Sequence, residues 1–142
     1  MTASAPSRPA RVLVVEDERS TARLLEFILT KNGYAVACAA DGSRALEAAE
    51  SFRPDAVLLD LHLPGLPGLE VLRLLRANPD YGRLVVLVLT ASSFEAPPAV
   101  VLEAGADAHC TKPIAPSTLL RKLQELSVPV RLPDVSGEVE AC

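Results

Sequence analysis

The stretch Ala56-Val57-Leu58-Leu59-Asp60-Leu61-His62-Leu63-Pro64-Gly65 decides how this chain is read. Four apolar residues in a row, bounded by Pro54-Asp55 and Pro64-Gly65, are too few for a helix and have the flanks of a strand buried on both faces of a parallel sheet. An open α/β sheet binds its ligands beyond the carboxyl ends of its strands, and Asp60 stands at such an end. Asp60 is therefore the first candidate for chemistry.

Working outward, the pattern repeats. Arg11-Val12-Leu13-Val14-Val15 is a β-branched run that passes directly into Glu16 and Asp17. Arg19 to Asn32 reads as a helix with Leu24, Leu25, Ile28 and Leu29 inward and Gly33 as its stop. Tyr34 to Ala40 is a weaker strand, and the turn Asp41-Gly42-Ser43 opens a helix through Ala45, Leu46, Ala49 and Phe52 that Pro54 closes. After the Asp60 strand and its loop, Leu69 to Ala77 is a helix ended by Asn78-Pro79. Leu84 to Leu89 is a buried strand ending at Thr90-Ala91-Ser92-Ser93. Pro97-Pro98 fits only a helix's first turn, so a short helix runs from there to Ala104. Ala108 to Thr111 is a brief strand leading into Lys112-Pro113, and Pro116 to Leu126 is a last helix with Leu119, Leu120, Leu123 and Leu126 inward. Strand and helix alternate five times, which predicts an α/β doubly wound parallel sheet covered on both faces.

Composition bounds the function. The 142 residues are 49% hydrophobic and 23% charged, enough for one domain with a single core. We expect it at 11–127, with a disordered lead at 1–10 and a flexible tail at 128–142. With a net charge of −4, nothing in the electrostatics suggests an affinity for nucleic acid phosphates or anionic membranes. The longest aliphatic run, Leu84 to Leu89, is far short of the roughly 18 residues a membrane span needs. With no secretory h-region at the N-terminus, a cytoplasmic location is expected. Cys38, Cys110 and Cys142 are too widely spaced for a thiolate metal site, and Cys38 and Cys110 read as small hydrophobes in strands.

The strand ends carry the chemistry: Glu16 and Asp17 after the first, Asp60 after the third, Thr90 after the fourth and Lys112 after the fifth. In a parallel sheet these converge on one edge. Three carboxylates brought together repel one another unless a proton or a cation neutralises them, and hard oxygen ligands suit Mg²⁺. Asp17, Asp60 and the backbone carbonyl of His62 would hold the ion, with Glu16 reaching it through water. Such a site points to phosphoryl transfer, in which an Asp60 oxygen attacks phosphorus while Lys112 neutralises phosphoryl oxygens. Thr90 would donate its hydroxyl to the phosphoryl group and draw its loop inward.

Leu13-Val14-Val15-Glu16-Asp17, Val57 to Gly65, Leu87-Val88-Leu89-Thr90-Ala91 and Thr111-Lys112-Pro113 together resemble the receiver domain of bacterial response regulators, over about residues 11–127. The resemblance implies a (βα)₅ flavodoxin-like fold of strand order 2-1-3-4-5 and a cis Lys112-Pro113 bond. It also implies a two-component phosphorelay, in which Asp60 takes phosphate from a histidine kinase or histidine phosphotransfer protein. Output would run through the fourth helix, fifth strand and fifth helix to a downstream protein target.

Two departures stand out. His109 occupies the position where the family carries a Tyr or Phe that swings inward behind the threonine, so it is the expected switch residue, with a charge that responds to pH near neutrality. His62, together with Ser92, would flank the water that hydrolyses the acyl phosphate and would tune its lifetime. Arg19, Arg23, Arg44, Arg73 and Arg76 read as solvated helix charges. Only 15 residues follow Ser127, so a stand-alone receiver is expected, a phosphoacceptor switch and not a turnover enzyme. Two alternatives compete with it. An aspartate-nucleophile phosphohydrolase resembles Asp-x-Asp, where this chain has His62, and a pseudo-receiver would ignore phosphate.

Overall fold

The computed structural model describes residues 9–91 and 97–126. Five strands, β1 (Arg11–Val15), β2 (Ala35–Ala39), β3 (Ala56–Asp60), β4 (Val85–Thr90) and β5 (Ala108–Thr111), alternate with five helices, α1 (Arg19–Lys31), α2 (Gly42–Phe52), α3 (Gly68–Ala77), α4 (Pro98–Glu103) and α5 (Pro116–Glu125). All strand pairs are parallel and the sheet order is β2-β1-β3-β4-β5. The expected fold and strand order are both present.

The period of 2 along each strand divides the core in two. Leu13, Val15, Val57, Leu59, Val86 and Val88 pack with Ala45 and Ala49 of α2, Val71, Leu72 and Leu75 of α3, and Val101 of α4. Val12, Val14, Ala56, Leu58, Leu87 and Leu89 pack on the other face with Leu25 and Leu29 of α1 and Leu119 and Leu123 of α5. Every residue of β3 is buried, as its uninterrupted apolar run requires. Asp41 caps α2 by accepting from the Arg44 N–H at 2.8 Å. Lys112-Pro113 is cis.

Four expectations are corrected. Leu24, placed inward, is 58% exposed, and Phe27 beside it is 61% exposed. The stripe that meets the sheet is centred on Leu25 and Leu29, so the adjacent residue of each pair turns about 100° away. Cys38 is exposed on the edge strand β2, between the half-buried Ala37 and the buried Ala39, whereas Cys110 is partly buried against the core as expected. Ala10, assigned to the lead-in, is buried, and its carbonyl accepts from the Ala35 N–H at 2.9 Å. Arg76 is no solvated charge. It donates from Nε to the Gly105 carbonyl at 2.8 Å, from Nη1 to the Tyr81 carbonyl at 3.3 Å and from Nη2 to Asp107 at 2.8 Å. The expected lead at 1–8 and tail at 128–142 lie outside the described residues.

Candidate functional site

The carboxyl edge of the sheet collects the polar residues that interrupt the apolar strands. Val15 pairs with Leu59, which carries Glu16 to the flank of Asp60, and Asp60 in turn pairs with Leu89, next to Thr90. Thr90 pairs with Thr111, and its carbonyl accepts the Lys112 N–H at 2.8 Å. Glu16, Asp60 and Thr90 are the buried polar residues among those described, at 4%, 4% and 1% exposure.

Lys112 ties the strands together. Its Nζ donates to Glu16 Oε1 at 2.6 Å and to Asp60 Oδ2 at 3.1 Å. The other Asp60 oxygen, Oδ1, accepts from the backbone N–H of His62 at 3.0 Å, and Glu16 Oε2 accepts from the Glu18 N–H at 3.2 Å. Asp60 is thereby fixed at both oxygens. One carboxylate oxygen from each of Glu16, Asp17 and Asp60 lies within 4.8 Å of the others. Asp17 is exposed and faces the cluster from the solvent side.

Electrostatics at this cluster follow burial and neighbours. Burial is the largest influence on Glu16 and pushes its carboxyl above the usual range; the Lys112 hydrogen bond opposes the rise and the Asp60 charge adds to it. Burial pulls the Lys112 amine down, but its hydrogen bonds to Glu16 and Asp60 outweigh that and hold it above its ordinary value. One ammonium faces three carboxyl groups, one of which resists ionisation. Hard oxygen donors crowded in this way fit a small divalent cation, with Glu16, Asp17 and Asp60 as its side-chain ligands.

The structure thus brings Glu16, Asp17, Asp60, Thr90 and Lys112 to one edge. The His62 side chain is exposed there, and its backbone contributes an N–H to Asp60, a contact not anticipated from the sequence. His109 pairs with Val88 on the α4 side of the sheet, and its Nε2 is buried with no hydrogen-bond partner among the described residues. Ser92 lies outside the described residues. Sequence reasoning also missed Gly68, which packs on the Asp60 and Leu61 backbone. The one hint was a Pro-Gly pair at the start of a helix.

Comparison with known proteins agrees with this geometry. The profile of the response regulator receiver domain family matches residues 12–124. The response regulator MprA of Mycolicibacterium vanbaalenii is 43% identical over 133 residues, covering 94% of this chain and 57% of the relative. The DNA-binding response regulator MtrA of Mycolicibacterium smegmatis is 42% identical over 114 residues, covering 80% of this chain and 49% of that protein. The chain therefore spans about half the length of the curated relatives it matches. Among solved structures, the receiver domain of a sensor histidine kinase from Pseudomonas aeruginosa superposes with a TM-score of 0.76 at 34% identity, covering 82% of this chain and 96% of that one. That structure holds a magnesium ion coordinated in its active site cleft. No helix among the described residues is long and apolar enough to cross a membrane.

Proposed function

This chain belongs to the response regulator receiver domain family, and we propose that it is a phosphoacceptor switch: Asp60 takes a phosphoryl group from a phosphohistidine donor, and the modified state changes which protein it binds. The observation that carries this reading is the bridging of Glu16 and Asp60 by the Lys112 ammonium, with Asp17 in the same cluster. A histidine kinase or histidine phosphotransfer protein is the donor, a protein the target, and the cytoplasm the place of action.

Mg²⁺ held by Glu16, Asp17, Asp60 and the His62 carbonyl would supply positive charge to phosphoryl oxygens. The Asp60 carboxylate is aimed for attack on phosphorus by one donor on each oxygen, the His62 N–H on Oδ1 and Lys112 on Oδ2. Lys112 moves from neutralising Asp60 to neutralising the arriving phosphoryl oxygens, and its bond to Glu16 keeps it at the edge during that exchange. Thr90 then donates its hydroxyl to the phosphoryl group and carries the end of β4 inward.

His109 transmits that movement. Its buried Nε2 has no hydrogen-bond partner among the described residues, so no hydrogen bond from them to that nitrogen holds the ring when the neighbouring strand end shifts. His62 and Ser92 set the lifetime of the acyl phosphate through access of water. The exposed Leu24 and Phe27 of α1, a helix that begins two residues after Asp17, give the donor protein an apolar footing beside the site.

The test is incubation with acetyl phosphate and Mg²⁺, followed by intact mass. The reading requires a gain of one phosphoryl group that Asp60→Asn abolishes. Continued release of many phosphates per chain would favour the phosphohydrolase, and no gain at all the pseudo-receiver.

A further inference from the structure

The helix α4 is held unequally at its two ends. Of its six residues Val101 alone is buried. Its N-cap, Pro97, makes no side-chain capping bond, and neither Pro97 nor Pro98 has an N–H to anchor that end. The chain that follows the helix is tied down at every step. The Gly105 N–H donates to the Leu102 carbonyl at 3.0 Å, the Ala106 N–H to the Val101 carbonyl at 3.2 Å, and the Asp107 N–H to the carbonyl of Val86, near the start of β4, at 2.8 Å.

Arg76 of α3 locks that end from outside. Its Nε donates to the Gly105 carbonyl and its Nη2 to the Asp107 carboxylate, both at 2.8 Å, and its Nη1 reaches the Tyr81 carbonyl. The same Asp107 oxygen accepts from the Val86 N–H, so Asp107 brackets Val86 with its backbone and its side chain together. Gly105 makes room for this arrangement: at φ +116, a Cβ there would stand 2.6 Å from Arg76 Cγ. A charged, forked donor set of this kind gives way as a unit, because displacing residues 105–107 breaks the bonds to α3 and to β4 at once. Thr90 lies at the far end of β4, four residues or about 13 Å from Val86.

We infer that Arg76 and Asp107 form a fixed pivot: when Asp60 is modified, the Thr90 end of β4 and the first turn of α4 move, while the end of α4 and the base of β5 stay where Arg76 holds them. The inference rests on the phosphoacceptor reading and adds to it the path along which the change travels. Without the pivot the end of α4 follows its start. Arg76 is thus a positioning residue, acting through the loop it grips and not on Asp60. His109 stands two residues past Asp107 on β5, so the pivot also steadies the backbone that carries its ring.

The experiment maps backbone amide chemical shifts of the full chain with Mg²⁺, with and without beryllium fluoride as a phosphoryl mimic, alongside intact mass after acetyl phosphate on the same preparation. In the unaltered protein the mimic is expected to shift Thr90 and also Val100 and Val101, whose N–H groups close the first turn of α4 onto the Pro97 carbonyl. Val86, Gly105, Ala106 and Asp107 should not shift beyond the line width. In Arg76→Lys and in Asp107→Asn the response should spread to those four amides, whereas Arg73→Ala, at an exposed arginine of α3, should keep the unaltered map. A variant that is merely less stable shows the same map as the unaltered protein, so stability alone does not produce the spread. Shifts at the four amides of the unaltered protein as large as those at Val100 would overturn the inference. So would an unaltered map in both pivot variants, or a mass gain with no shift in α4, and each leaves the phosphoacceptor reading standing. Neither a mass gain nor any shift would remove that reading, and the inference with it.

Discussion

Gly68 lies against the backbone of Asp60: a Cβ built at position 68 would stand 2.5 Å from the Asp60 carbonyl oxygen and 2.5 Å from the Leu61 Cα. Both neighbours are main chain and cannot yield as a flexible side chain would. The start of α3 is thus seated directly on the strand end that presents Asp60, the proposed phosphoacceptor. Gly68→Ala is expected to cost about 1–3 kcal/mol of stability, measured by urea unfolding, and to slow phosphorylation by displacing Asp60. Gly65→Ala, in the same loop at φ +72 with open space around it, should lose only about 1 kcal/mol and leave the rate unchanged.

Arg76 joins three parts of the chain that the sequence holds apart. Its guanidinium reaches the carbonyls of Gly105 and Tyr81 and the carboxylate of Asp107, and the same Asp107 oxygen accepts from the Val86 N–H at 2.8 Å. Arg76→Ala leaves two carbonyls and a carboxylate short of a donor and should destabilise by about 2–3 kcal/mol, read as a lower urea midpoint. Arg76→Lys should rescue little, because an ammonium cannot reproduce the forked geometry. A midpoint for Arg76→Ala equal to that of the unaltered protein would return this residue to the solvated helix face.

Glu16 is expected to set how stability depends on a divalent cation. Its carboxyl is raised by folding, chiefly through burial. The favourable contribution of its protonated form is fully present below the unfolded value and is lost as pH rises through the folded one. At pH 7 without divalent cation the charged group therefore opposes folding. Glu16→Gln is expected to raise the melting temperature in EDTA at pH 7 and to leave it little changed at pH 4, while reducing the increase that Mg²⁺ produces. A lower melting temperature for Glu16→Gln in EDTA would contradict this account.

Leu24 and Phe27 face solvent, so replacing both with serine should change stability by no more than about 0.5 kcal/mol. Phosphorylation by acetyl phosphate should persist in that variant. Transfer from a phosphorylated histidine kinase should fall by about tenfold or more if these side chains anchor the donor. The two rates, measured on one variant, separate docking from chemistry.

How much of this was readable in the chain follows from the range over which each signal acts. Asp60, Thr90 and Lys112 were legible because each ends an apolar run, and burying such a run forces the polar residue after it to the sheet edge. The five alternations predicted the layered fold, since a strand buried on both faces needs helices on both. Leu24 was misplaced because helical spacing gives a stripe but not its centre, which depends on where the sheet lies. Cys38 was misplaced because an edge strand and a central one can share a composition.

The sequence by itself determined that Glu16, Asp17, Asp60, Thr90 and Lys112 would meet at one edge, because strand period, turn residues and burial are local properties. Only the tertiary structure decided that Lys112 divides its bonds between Glu16 and Asp60, and that Arg76 closes a network from residue 76 to 107. Those relations depend on distances between segments far apart in the chain, and such distances exist only once the strands have taken their order in the sheet.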